Sequence, residues 1–119
     1  MRPHVSDITL HRASHTLEVS FDSGEVFRMT CEYLRTHSPS AEVQGHGPGE
    51  RILQFGKRDV NIAEIVPVGH YGVLLKFDDG HETGIYSWSV LHDLGVNMHA
   101  NWQGYLNALA AAGLAREPA

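Results

Sequence analysis

Two four-residue stretches set the frame for this chain. Phe21-Asp22-Ser23-Gly24 and Phe77-Asp78-Asp79-Gly80 each close a run of alternating apolar and polar residues, and a further strand-like run follows each. Asp and Gly are turn formers: the short carboxylate bonds nearby backbone, and glycine accepts the positive φ of a tight hairpin. Each unit then reaches a hydroxyl residue, Thr30 or Ser87, ahead of "CEYLRTH" or "WSVLHDLG". A Ser or Thr there accepts a backbone N–H that the first helical turn leaves unpaired, so each reads as a helix start. The chain therefore reads as strands, turn, strand and helix written twice, an echo within one domain rather than a solenoid period.

The flanking runs fill in this grammar. "ITLHR" and "TLEVSF" alternate with period two and are joined by the short "ASH". "VNIAEIVPVG" and "HYGVLLKF" read as two more strands, with Tyr71, Val73, Leu75 and Phe77 expected on one face. The helix opened by Thr30 must end near His37, because Pro39 pushes its predecessor toward extended backbone. Ser38 to Gly49 then reads as a surface loop. "NWQGYLNALAAAG" is a C-terminal helix, with Trp102, Tyr105, Leu106 and Leu109 on one stripe and Gly113 as its stop. The fold class expected is α+β: a mainly antiparallel β-sheet of two hairpin-containing units, with short helices and the C-terminal helix packed on it. Residues 1–95 form the body of the domain, 96–113 the helix on it, and 114–119 a tail expected to fray.

Composition removes several function classes. A chain of 119 residues is one domain by length. Net charge is −5 and the nine Lys and Arg are scattered, so no basic stripe for nucleic acid is present. No apolar run is long enough for a membrane, and "MRPHVSD" lacks the apolar centre of a secretory signal, so a cytoplasmic location is expected. The single Cys31 fits a reducing compartment. Nucleophile elbow, P-loop and dinucleotide motifs are absent. Gly45, Gly47 and Gly49 neither follow a strand nor open a helix, so they are not read as a phosphate cradle. Ser38 and Ser40 have histidines nearby in sequence, but spacing implies no acid or oxyanion donors, so Ser–His catalysis is not expected.

The densest segment is "DGHETGIYSW", where turn glycines bracket His81, Glu82 and Thr83 and where Tyr86 and Trp88 follow. Together, "LR…SPSAEV" and "VGHYGVLLKFDDGHETGIYSWSVL" resemble the gamma-butyrobetaine-hydroxylase-like N-terminal domain family, over roughly Ile8 to Leu94. That resemblance implies a domain found as a small stand-alone bacterial protein and as the N-terminal module of iron- and 2-oxoglutarate-dependent hydroxylases. It is also found fused to Mrp-type ATPases that carry iron–sulfur clusters. In the hydroxylases the catalytic iron belongs to a second domain, so no enzyme is expected here.

The family's metal-binding form reads Leu-Arg-x-x-Cys-Pro-Cys-x-x-Cys, with a fourth ligand from the histidine of Asp-Gly-His. Laid on this chain, the three thiolates fall at Ser38, Ser40 and Val43, and the imidazole at His81. A serine hydroxyl is a poor zinc ligand and valine has no donor, so the site is expected to be degenerate and no cofactor is expected. His81 is the one remaining ligand position. The resemblance thus implies a non-catalytic binding or adaptor module serving redox, iron–sulfur or other metal-cofactor proteins. Its expected binding residues are Arg35, Ser38, Ser40, Glu42, His46, His81, Glu82, Tyr86 and Trp88, its expected partner is another protein, and nucleic acid and membrane are excluded. The rival reading is a zinc or iron protein, or an accessory part of an oxidoreductase, using His81 with His37, His46 and Glu42.

Overall fold

Thr30 and Ser87 do open helices. Both sit in extended backbone, and their hydroxyls accept the N–H of Tyr33 and Val90. The computed structural model describes residues 2–45 and 51–118. Strands β1 (Val5–His11), β2 (Thr16–Phe21) and β3 (Val26–Thr30) form one antiparallel sheet in chain order, and α1 (Cys31–Thr36) follows directly. Strands β4 (Ile62–Val68), β5 (Gly72–Phe77) and β6 (Gly84–Ser87) form a second sheet of the same order, and α3 (Trp88–Val96) follows. Gly24 and Gly80 stand at matching turns with φ of 94° and 91°, a region where side chains with a Cβ are strained.

Alternation sorts the faces. In β2, Leu17, Val19 and Phe21 are buried, while outward Glu18 pairs with Arg28 of β3 at 2.9 Å. In β5, Val73, Leu75 and Phe77 are buried. Tyr71, expected in that row, instead lies in the turn and is exposed. Val68 and Gly72 form the last rung of the β4–β5 ladder, which leaves residues 69–71 to reverse the chain. One core joins both sheets, with Leu17, Val19 and Met29 from the first, Ile62, Leu75 and Tyr86 from the second, and Leu34 and Leu91 from the helices. The β1–β2 turn is tied across to the second unit. Arg12 donates to the carbonyls of Ile62 and Ala63 at 3.0 Å each.

Part of the segment expected as loop is helical. Ser40 caps α2 (Ala41–Gln44) by accepting the Glu42 N–H. The loop expected at Gly47 and Gly49, with His46, lies outside the described residues. Helix α4 (Met98–Ala112) buries Tyr105 and Leu109, half-buries Trp102 and Leu106, and is followed by Gly113. It meets the core through Met98 and Trp102, with the Trp102 ring edge-on to Tyr33 of α1 at 6.4 Å.

The fraying expected of the tail does not describe residues 114–118. Gly56 and Arg58 donate their N–H groups to the carbonyls of Ala115 and Arg116, at 2.9 Å each. Arg116 grips both carboxylate oxygens of buried Glu32 at 2.9 and 2.7 Å, and lies over the Trp102 ring. A buried carboxylate needs a counter-charge, and the tail supplies it. No helix among the described residues is long and apolar enough to cross a membrane.

Candidate functional site

α1 ends at Thr36, and the chain then turns through Ser38 and Pro39 into α2. This bend lies against the β5–β6 turn, and five polar side chains meet there. Ser38 Oγ is 2.9 Å from His81 Nε2, and His81 Nδ1 is 3.1 Å from Glu42 Oε2. Ser40 Oγ is 2.7 Å from Thr83 Oγ1. Donor arithmetic fixes the protons. The Glu42 carboxylate can only accept, so His81 Nδ1 carries the hydrogen and Nε2 accepts from the Ser38 hydroxyl. Ser38 Oγ in turn accepts the Ser40 N–H at 3.2 Å, and Gln44 Nε2 donates to the Ser38 carbonyl at 2.8 Å.

A second group of charges holds the turn in place. Asp79 Oδ2 accepts from Arg35 Nε at 2.8 Å and Lys57 Nζ at 2.6 Å, while Oδ1 accepts the His81 N–H at 3.1 Å. Burial would raise the Asp79 carboxyl, but bonds from Lys57 and the His81 amide, with the Arg35 charge, hold it below its ordinary value. For His81, burial and the nearby Arg35 charge keep the imidazole below its ordinary value, against the pull of Glu42 and Asp79. The His81–Glu42 contact is therefore a hydrogen bond donated by a neutral ring near pH 7. Arg35 Nη1 is the one sealed side-chain nitrogen or oxygen without a partner among the described residues.

Ser38, His81 and Glu42 are bonded in the order of a hydrolytic relay. Access is what differs. Ser38 is fully buried, its oxygen is occupied by a backbone N–H and an imidazole, and none of the five principal cavities is lined by Ser38 or His81. A β-carbon at Gly84 would lie 2.5 Å from Ser38 Oγ, so the opposite wall is in contact with the hydroxyl.

The family's metal does not fit these residues either. Ser38 is spent on the imidazole, Ser40 on Thr83 and the α2 cap, and Val43 is buried apolar surface. No group of three His, Cys, Asp or Glu side chains among the described residues is placed to hold a metal. His37, proposed for a substitute site, bonds the Tyr33 carbonyl through Nδ1 at 3.0 Å and packs against the Tyr33 ring and edge-on to Tyr105. It belongs to the α1–α4 contact and takes no part with His81.

Of the residues singled out from sequence, Arg35, Ser38, Ser40, Glu42 and His81 do converge. Ser38, His81 and Tyr86 are buried, so they are not the docking surface expected of them. Tyr86 donates to the Leu34 carbonyl at 2.5 Å, with burial pushing its phenol well above the ordinary range. Trp88 stands apart, donating from Nε1 to the His70 carbonyl at 2.8 Å. Glu82 is exposed, and His46 lies outside the described residues. Asp79, Lys57, Thr83 and Gly84 belong to the site but were not among the candidates. Asp79 and Gly84 stood in the sequence as turn residues, and nothing local signals that their partners sit on another element.

A family model described as gamma-butyrobetaine hydroxylase-like, N-terminal, matches residues 8–92. A protein solved by NMR in solution is 41% identical over 100% of this chain and 94% of its own, with a TM-score of 0.86. A second NMR structure is 52% identical, covering 98% of this chain and 86% of its own, with a TM-score of 0.84. A crystal structure of a protein of unknown function from Acidithiobacillus ferrooxidans, assigned to the DUF971 family, is 38% identical. It covers 77% of this chain and 92% of its own, with a TM-score of 0.65. No curated protein gives a significant match.

Proposed function

The chain belongs to the gamma-butyrobetaine hydroxylase-like N-terminal family, and from that membership we propose that it acts as a non-catalytic binding module in the cytoplasm. Its partner, on this reading, is another protein of redox, iron–sulfur or metal-cofactor chemistry. One observation supports this above the others: Ser38, His81 and Glu42 are joined in one hydrogen-bonded chain, with Ser38 and His81 buried. Groups used in this way hold a bend in shape; they neither attack nor ligate. The surface offered to a partner is then the outside of the α1–α2 bend and the β5–β6 turn, where Glu42 and Glu82 are exposed.

A pull-down from native cytosol tests this, with the wild type compared against Glu82→Lys. The reading expects a redox or metal-cofactor protein captured by the wild type and lost with the charge reversal, as read by mass spectrometry. In parallel, the protein with iron, ascorbate and 2-oxoglutarate is expected to form no succinate above a heat-killed control. Succinate formation abolished by a histidine substitution would replace the module with an enzyme, and capture insensitive to Glu82→Lys would remove the surface.

A further inference from the structure

Glu32 stands in the first turn of α1, and it is only 4% exposed. A carboxylate buried so deeply is costly unless a charge and hydrogen bonds meet it. Arg116 meets it from the far end of the chain. Its Nε and Nη2 donate to the two carboxylate oxygens at 2.9 and 2.7 Å, and its guanidinium carbon lies 5.1 Å from the centre of the Trp102 ring. Fork against carboxylate and plane over indole make a seat shaped for a guanidinium. An ammonium has neither the planar fork nor the stacking face.

The seat belongs to the folded body, whereas its occupant is lightly held. Trp102 packs against the core, and Glu32 follows the cap at Thr30. Helix α4 ends at Gly113, whose φ of 68° turns the chain out of the helix. None of residues 114–118 is buried. Besides the Arg116 fork, they are tied by the Gly56 N–H to the Ala115 carbonyl and the Arg58 N–H to the Arg116 carbonyl. The Arg58–Glu117 pair adds little, because both side chains are more than half exposed. A segment with so few buried contacts belongs to the low-stability end of a fold and opens locally. Open space flanks the seat on both sides. A cavity of about 470 Å³ has Met98, His99 and Trp102 in its wall, and Glu32 and Arg116 line it. A second, of about 230 Å³, has Ser14 and Asp59 in its wall and is lined by the same pair. Lifting residues 114–118 removes Arg116 and opens one cavity toward the other, with the Glu32 carboxylate between them.

We propose that Glu32 and Trp102 form a receptor for an arginine side chain of a partner protein, and that residues 114–118 are a strap that closes it in cis with Arg116. The seated residue states the chemistry of the occupant. Exchange of one guanidinium for another keeps the fork, the stacking and the charge balance. It gives up only the two backbone bonds and the exposed pair. The site stands at the start of α1 and does not depend on the α1–α2 bend. No covalent step is involved.

Amide NMR of the full chain at fixed ionic strength tests this, with acetyl-arginine amide and acetyl-lysine amide as probes. In the wild type, the Gly56 and Arg58 amides are expected to exchange with solvent faster than those of the central strands β2 and β5. Arg116→Ala should bind the arginine probe saturably, with shifts centred on Glu32 and the Trp102 indole N–H. The lysine probe should bind about tenfold more weakly. The wild type should also bind the arginine probe about tenfold more weakly than Arg116→Ala, because the strap competes, and binding should shift the Gly56 and Arg58 amides. Adding Glu32→Gln to Arg116→Ala should abolish binding. Adding Trp102→Leu instead, which keeps the carboxylate, should weaken it and serves if the first double variant does not fold. The proposal would be overturned by Gly56 and Arg58 exchanging only together with the central strands, or by no saturable binding. Equal binding of the two probes, equal binding by wild type and Arg116→Ala, or binding indifferent to Glu32 and Trp102 would overturn it as well.

Discussion

At position 84 only a hydrogen atom fits. The Ser38 hydroxyl occupies the space a β-carbon would take, 2.5 Å away, and it is there because His81 Nε2 accepts from it. Gly84→Ala is therefore expected to destabilise by about 1–3 kcal/mol through overpacking. Ser38→Ala should cost a similar amount, about 1–3 kcal/mol, by leaving His81 Nε2 buried without a donor. The double variant should cost clearly less than the sum, because removing the hydroxyl relieves the clash. Chemical denaturation of the four proteins reads this coupling, and strict additivity would mean that the two residues do not share the space. At this scale the sequence was half legible. Ser38, Ser40, Glu42 and His81 stood out as polar residues in a patterned segment. Thr83 and Gly84 did not, because their partners lie 43 residues and more away and no local period announces them.

The elements whose signals are local were readable, including the two hydroxyl caps and the two Asp–Gly turns. Helix α2 was not, since four residues are too few for any periodicity to register. The tie between the tail and Glu32 escaped for another reason: it joins residues 84 apart in sequence. The α1–α2 bend itself supports a prediction. Ser38 still meets His81 as the first family thiolate would, so Ser38→Cys, Ser40→Cys and Val43→Cys together should build three thiolates beside an imidazole. This variant is expected to take up zinc or cobalt, to show thiolate-to-cobalt absorption, and to melt at a higher temperature when loaded. Adding His81→Ala should weaken uptake. Equal binding with and without His81 would mean that the bend no longer follows the family's path.

As a whole molecule, the protein keeps two imidazoles, His37 and His81, neutral inside it, and this gives its stability a pH dependence. Burial leads both shifts, and both folded values lie below the ordinary 6.5. The unfolded chain thus takes up protons first as pH falls. The stability these rings contribute is complete above about 6.5 and is lost as pH drops through their folded values. Melting temperature should begin to fall as pH drops below about 6.5, and His37→Gln should flatten part of that slope. A slope confined below pH 4 would assign the effect to carboxylates such as Asp79. Fold class was legible at this scale because the doubled strand–turn–helix order spans the chain, and the family through the resemblance carried by the motif around His81; the polar site was not, because it forms only when the two units pack together. That site is the centre of the account, and the proton on His81 reads it directly. Long-range nitrogen–proton correlation NMR of the imidazole at pH 7 should find a neutral ring with hydrogen on Nδ1 and an unprotonated Nε2 that accepts from the Ser38 hydroxyl. Hydrogen on Nε2, a doubly protonated ring, or a metal-bound nitrogen would contradict the Ser38–His81–Glu42 network.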